Sequence, residues 1–191
     1  MLLKKCLPVW ALALGLVASG PAAAQSVTFP TQPIRLIVGF PAGGASDVAA
    51  RAIASQMTTQ LGQQVVVENK PGASGQIAAA YVAKASADGY TLMLDASSYS
   101  VNPSLFPKLP YDPNKEFKTL AVLALYPNVL LVNPSFPAKS VKDLITMAKA
   151  KPNSIAFASS GKGSAQHLAG ALFEVQAGVE MQHIPYKGVA P

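Results

Sequence analysis

Two hydrophobic rhythms alternate along this chain. Ile34-Arg35-Leu36-Ile37-Val38 is a short apolar run that predicts a strand over about Ile34 to Phe40. Val48, Ile53, Met57 and Leu61 then recur at four- or five-residue steps, which predicts a helix from about Ser46 to Leu61. Ser46 is the expected N-cap and Gly62 the expected stop. The pattern continues with a strand at Val65-Val66-Val67-Glu68, a turn at Asn69-Lys70-Pro71-Gly72, a helix from about Ser74 to Ala85, and a strand at Thr91-Leu92-Met93-Leu94. The order strand, helix, strand, helix, strand implies an α/β fold with a parallel sheet and helices on its faces.

Asp95 to Lys118, with Pro103, Pro107, Pro110 and Pro113, reads as irregular. Two apolar runs follow, Leu120 to Leu125 and Val129 to Val132, broken by Tyr126-Pro127-Asn128. Pro127 interrupts regular pairing there, and an interdomain crossover is expected at this point. Ser140-Val141-Lys142-Asp143 resembles a capping box and opens a helix that ends near Lys151-Pro152. Ile155 to Ala158 is a strand, Ser164 to Ala177 a helix stopped by Gly178, and Met181 to Tyr186 a last strand.

Two strand-to-helix turns carry the candidate chemistry. Gly39-Phe40-Pro41-Ala42-Gly43-Gly44-Ala45-Ser46-Asp47 joins the first strand to the first helix, and Ser159-Ser160-Gly161-Lys162-Gly163-Ser164 repeats the arrangement later. Glycines let a ligand approach the backbone closely. The first amides of a helix have no intrahelical acceptor and sit at the positive end of its dipole, so an anion is held there without Lys or Arg. In open α/β sheets ligands bind beyond the carboxyl ends of the strands. Two such turns on facing domains form a cleft with a helix N-terminus on each wall.

Met1 to Ala24 is a separate segment. Lys4 and Lys5, the apolar run Val9 to Val17 and the small residues Ala22-Ala23-Ala24 read as a secretory signal peptide cut near Ala24–Gln25; the apolar run is short for a bilayer span. The only Cys and the only Trp lie inside it, so the mature chain has no disulfide or thiolate chemistry. Fifteen Lys and Arg, two of them in this segment, against nine Asp and Glu leave a mature formal charge of +4. That mild, scattered excess gives nucleic-acid binding little support.

Other chemistries fit poorly. The glycines at Gly39, Gly43 and Gly44 do not make the dinucleotide pattern G-x-G-x-x-G, and the later turn lacks P-loop spacing, so no cofactor is expected. Glu68, at the end of the second strand, stands where a ribose-binding acid would and keeps an exported α/β enzyme or nucleotide binder open as the alternative. His167 and His183 have no metal-ligand spacing, and no G-x-S-x-G elbow is present. Taken singly, each turn is as readily a plain capped turn as a ligand site, and Asp47 reads as a complement to the helix dipole.

Taken as a series, several stretches resemble the periplasmic solute-binding receptors of tripartite tricarboxylate transporters, the Bug-type family. They are Pro33 to Val38, Phe40-Pro41-Ala42-Gly43-Gly44, Val65 to Gly72, Asp88-Gly89-Tyr90-Thr91-Leu92, Asn102-Pro103-Ser104-Leu105, Pro127-Asn128-Val129-Leu130, Ala158 to Ser164 and Pro185-Tyr186-Lys187-Gly188. The resemblance covers essentially the whole mature chain. Ala42 departs from the family's usual Pro-Pro-Gly-Gly.

The resemblance implies a periplasmic-binding-protein-like α/β fold of two domains with a ligand cleft between them. It implies a monomeric, periplasmic, non-enzymatic receptor that hands a small carboxylate to membrane permease subunits. The ligand would be a di- or tricarboxylate, an acidic amino acid or an aromatic acid. By position it places Phe40, Gly43, Gly44, Ser46 and Asp47 on one wall and Ser159, Gly163, Ser164 and His167 on the other, with Ser97 and Ser98 in a third loop. Asp95, directly after the third strand, is expected either to bias the site toward zwitterions or to cap the Ser97–Ser98 turn. The expected boundaries are 1–24 for the signal peptide, 25–126 for the first domain without its return segment, and 127–191 for a partial second domain. The family chain continues past Pro191, so this sequence reads as a fragment.

Overall fold

The computed structural model describes residues 29–186 and 188. The expected signal peptide lies outside them. Strand β1 (Ile34–Val38) is central in a three-stranded parallel sheet, flanked by β2 (Val65–Asn69) and β3 (Thr91–Leu94). Parallel strands need crossover connections, and two helices supply them: α1 (Ala45–Leu61) and α2 (Gln76–Ala83). A second parallel pair, β4 (Ala156–Ser159) and β5 (Gln182–Pro185), is joined by α5 (Ala165–Ala177). Helices α3 (Ser98–Leu105) and α4 (Val141–Ala150) lie between the two sheets in sequence.

The core sits around β1. Ile34, Leu36 and Val38 point to one face, against Ala50 and Ala54 of α1, with Val65 and Leu94 alongside. Ile37 faces the other side, and α2 buries Ala78 and Ala79. Each fully buried aliphatic side chain contributes roughly 2 kcal/mol, so β1 anchors the first turn firmly. Gly39 continues the Ile37 face. A Cβ there would stand 2.9 Å from the Gly75 Cα, so the exit of β1 requires glycine. The second unit is thinner. Leu144 and Ala148 of α4 and Val179 are buried, while α5 has no fully buried residue.

Several boundaries differ from the sequence expectation; β1 ends at Val38, α2 at Ala83 and β5 spans Gln182–Pro185, each one or two residues short. The cap of α1 is Gly44, not Ser46; glycine ranks below serine as a cap, but the turn geometry starts the helix two residues early. The second helix begins at Gln76 rather than Ser74, because Ala73 and Ser74 hold left-handed backbone angles (φ 47° and 54°) and form a 3-10 turn first. The segment expected to be irregular contains α3, with Pro103 inside it. That helix is held by tertiary contacts: Ser98 and Asn102 are buried, and the Asn102 Nδ2 donates to the Ser74 carbonyl at 3.0 Å. The runs Leu120–Leu125 and Val129–Val132 form no strand and are exposed.

Candidate functional site

The two strand-to-helix turns have the same construction. Gly43 and Gly163 both take positive φ, 81° and 85°. The residues after them, Gly44 and Ser164, are extended N-caps with nearly equal angles (φ −77°, ψ 168° and φ −70°, ψ 161°). Gly44 N–H points at the Pro41 carbonyl and Ser164 N–H at the Gly161 carbonyl. In each helix the third residue after the cap folds its side chain back onto the glycine amide. Gly43 N–H donates to the Asp47 Oδ2 at 2.9 Å, and Gly163 N–H donates to the His167 Nδ1 at 3.1 Å. Ser164 adds its own cap, its Oγ accepting from the His167 N–H.

Asp47 is buried and fully engaged. Its carboxylate accepts from Arg51 Nε (2.9 Å), Gly43 N–H and the Asn69 Nδ2 (3.0 Å), and Asn69 also donates to the Phe40 carbonyl. The Arg51 guanidinium and the Gly43 amide hold its carboxyl down at about 2. Asp47 therefore stays ionised and fixes the first turn from behind.

Both helix N-termini open on one hollow of about 730 Å³. Gly44, Ala45 and Ser46 of α1 line one side, Ser160, Ala165 and Gln166 line the other, and Met93, Asp95, Ser97 and the stretch 121–128 complete it. The first amides of α1 and α5 are the ones without intrahelical acceptors. Their N-terminal dipoles converge on the space between. Of the expected site residues, Phe40, Gly44, Ser46, Asp95 and Ser97 line the hollow. Gly43, Asp47, Ser98, Ser159, Gly163, Ser164 and His167 stand behind it, building the turns. Tyr186 is exposed and Gly188 lines the hollow; Lys187 lies outside the described residues.

Asp95 takes the capping geometry. Its Oδ1 accepts from Ala96 N–H (2.8 Å) and the Ser98 hydroxyl (3.1 Å). Its Oδ2 is buried without a partner, against Gly75. Burial pushes the carboxyl up to about 6, against the pull of those two donors.

Ser159 and the histidines form a closed cluster. The Ser159 Oγ lies 2.6 Å from the His183 Nε2 and also meets the Gly161 amide and carbonyl. His183 is stacked between Phe157 (5.0 Å) and His167 (4.1 Å). Ser159 is buried and does not line the hollow, so this contact is structural rather than a poised nucleophile. Glu68, the acid that kept a nucleotide reading open, is engaged by Arg35 through two hydrogen bonds of 2.6 and 2.8 Å.

Sequence reasoning missed the residues that join the two units. Ser74 donates its hydroxyl to the Lys162 carbonyl. A Cβ on Gly163 would meet Leu105 at 2.9 Å and the Asn102 Oδ1 at 3.7 Å. Small-residue turns signalled the walls; nothing local in the sequence signals a contact between positions 88 residues apart. A second hollow, about 610 Å³, lies around Arg35, Tyr81 and Lys84. Tyr90 and Thr91, at the start of β3, line it, so it sits at the amino ends of the strands and has no helix N-terminus facing it.

The chain is similar to known proteins over most of its described length. A family model described as the tripartite tricarboxylate transporter family receptor matches residues 49–191. Protein BugT of Bordetella pertussis is 42% identical over 166 residues, covering 86% of this chain and 51% of BugT. Among solved structures, R. palustris Rpa4515 with adipate superposes with a TM-score of 0.80 at 40% identity, covering 84% of this chain and 54% of that one. MatC from Rhodopseudomonas palustris with bound malate gives 0.76 at 33% identity, covering 84% and 55%. The chain spans about half the length of the curated relatives it matches.

Proposed function

The chain belongs to the tripartite tricarboxylate transporter family receptors, and on that premise we propose that it captures a small carboxylate in the periplasm and delivers it to the permease subunits of such a transporter. The observation that carries this reading is the convergence of the α1 and α5 N-termini on one hollow. Each wall offers unpaired amides and a positive dipole end to one carboxylate group. Two walls suit a ligand with two such groups, and the similar structures above hold adipate and malate. Dicarboxylates are thus the first class to test, ahead of acidic amino acids and aromatic acids. Ser46, Ser97 and Ser160 supply hydroxyls around the same space. The protein works as a binder, not an enzyme, and as a monomer of two α/β domains divided near Tyr126–Pro127.

Calorimetric titration with a carboxylate panel tests the reading. One carboxylate should bind at a single site and remain chemically unchanged. Gly44 has backbone angles open to any residue, so Gly44→Val should keep the fold and place two methyls where the ligand meets the amides. Its affinity should fall at least about tenfold, the scale of one lost hydrogen bond. Unchanged affinity in a folded Gly44→Val would remove this turn from the site.

A further inference from the structure

Besides the Ser164 side-chain cap, which Gly44 lacks, the turns differ in the residue that folds back onto the glycine amide. At α1 it is Asp47, at α5 it is His167. Helix α4 uses the same device away from the hollow, with Asp143 Oδ2 accepting from Lys139 N–H at 3.1 Å. A carboxylate accepts a hydrogen bond at any pH above its own low titration. An imidazole Nδ1 accepts only while it carries no proton.

We propose that His167 is a positioning residue whose neutral imidazole holds the second wall in binding geometry through Gly163, and that its protonation slackens that wall alone and releases the carboxylate. The proposal rests on the receptor reading above. In the neutral ring the Gly163 N–H fixes the proton on Nε2, the tautomer that leaves Nδ1 free to accept. Gly163 sits directly before the cap, so loss of that contact loosens the turn that leads into the Ala165 and Gln166 amides, leaving the Ser164 cap and the Ser164–Gly161 backbone bond to hold it. Protonation turns Nδ1 into a donor facing another donor, and the contact is lost. Asp47 keeps its grip on the first wall throughout.

His183 of β5 stacks on His167, and burial together with His167 holds His183 below the ordinary imidazole range. Glu174 of α5 acts on His183 in the opposite direction. Lys162 is exposed in the turn itself. Across the junction the first unit presents Ser74, Asn102 and Leu105, none of them charged, with Asp95 set behind Gly75. The ion pairs among the described residues involve neither histidine.

The test is a pH series from 5 to 8 on the whole chain, with adipate as the probe and amide and imidazole NMR as the second readout. In wild type, adipate affinity should fall roughly tenfold toward pH 5, about the worth of one hydrogen bond, and the Gly163 amide resonance should titrate together with the His167 ring. His167→Asp copies the first turn and should lose the part of the pH dependence that belongs to residue 167, keeping only what adipate's own second carboxyl and Asp95 contribute in both proteins. Asp47→His should add a second pH-dependent step. An identical pH profile in wild type and His167→Asp, or a Gly163 amide resonance that does not move with the His167 ring, overturns the proposal. Absence of adipate binding at every pH removes the release step together with the receptor reading. The cap itself then stands or falls on the Gly163 resonance alone.

Discussion

At Asp95, burial and two hydrogen bonds pull in opposite directions, and burial prevails. The carboxyl titrates at about 6 in the folded protein against an ordinary value of 3.8. The folded state therefore keeps a proton that the unfolded chain releases between those values. The resulting stabilisation is complete below about pH 3.8 and is lost as pH rises through 6. Asp95→Asn keeps an oxygen to accept from Ala96 and Ser98 but carries no charge. It should be more stable than wild type at pH 8, by at most roughly 3 kcal/mol from the size of the displacement, and gain little at pH 4. Urea denaturation at both pH values measures this. An equal gain at both would mean that the buried charge is not what Asp95 costs. This residue was legible from sequence only in its position after β3; the alternatives of capping and facing the ligand separate on where each oxygen points. Asp47 was legible as an acid in the first helical turn. Its three donors were not, because Arg51 lies one helical turn on while Asn69 comes from the end of β2.

At the scale of elements, Gly170 lets α5 lie close on β4. A Cβ there would stand 2.3 Å from the Phe157 ring, which stacks on His183. In an exposed helix Gly→Ala stabilises by up to about 1 kcal/mol through propensity. Here overpacking costs about 1 to 3 kcal/mol and outweighs that gain. Gly170→Ala should lower the melting temperature and shift the ring resonances of both histidines. A higher melting temperature with unmoved histidine signals would contradict the packing. The elements themselves were largely readable. Short apolar runs between turn residues located the five strands of the described residues, and helical spacing with capping or stop residues located α1, α4 and α5. Helix α3 was not readable: four prolines signal a loop, and only Asn102 and Ser98 reaching buried partners make Ser98–Leu105 helical. The start of α2 moved for a similar reason, since Ser74 is held left-handed where it meets the Asn102 amide and Lys162.

At the scale of the whole molecule, the longest exposed apolar stretch among the described residues runs from Leu120 to Val132, with Leu125 89% and Leu131 81% exposed. The two apolar runs there were plain in the sequence, but what they pack against was not. Patches of this kind bind partners or drive association. The chain should bind a hydrophobic dye and associate as its concentration rises, and Leu125→Lys with Leu131→Lys should reduce both. Light scattering that is independent of concentration, with no dye signal in wild type, would show this stretch to be covered in solution. The central claim is that two equivalent turns present their helix-start amides to one carboxylate ligand. The most direct measurement is an amide NMR titration of the chain with adipate and malate. The expected shifts concentrate at Gly44, Ala45 and Ser46 and, with the same saturation curve, at Ala165 and Gln166. Shifts confined to the hollow around Arg35, Tyr81 and Lys84, or no saturable shift at either helix start, would contradict it.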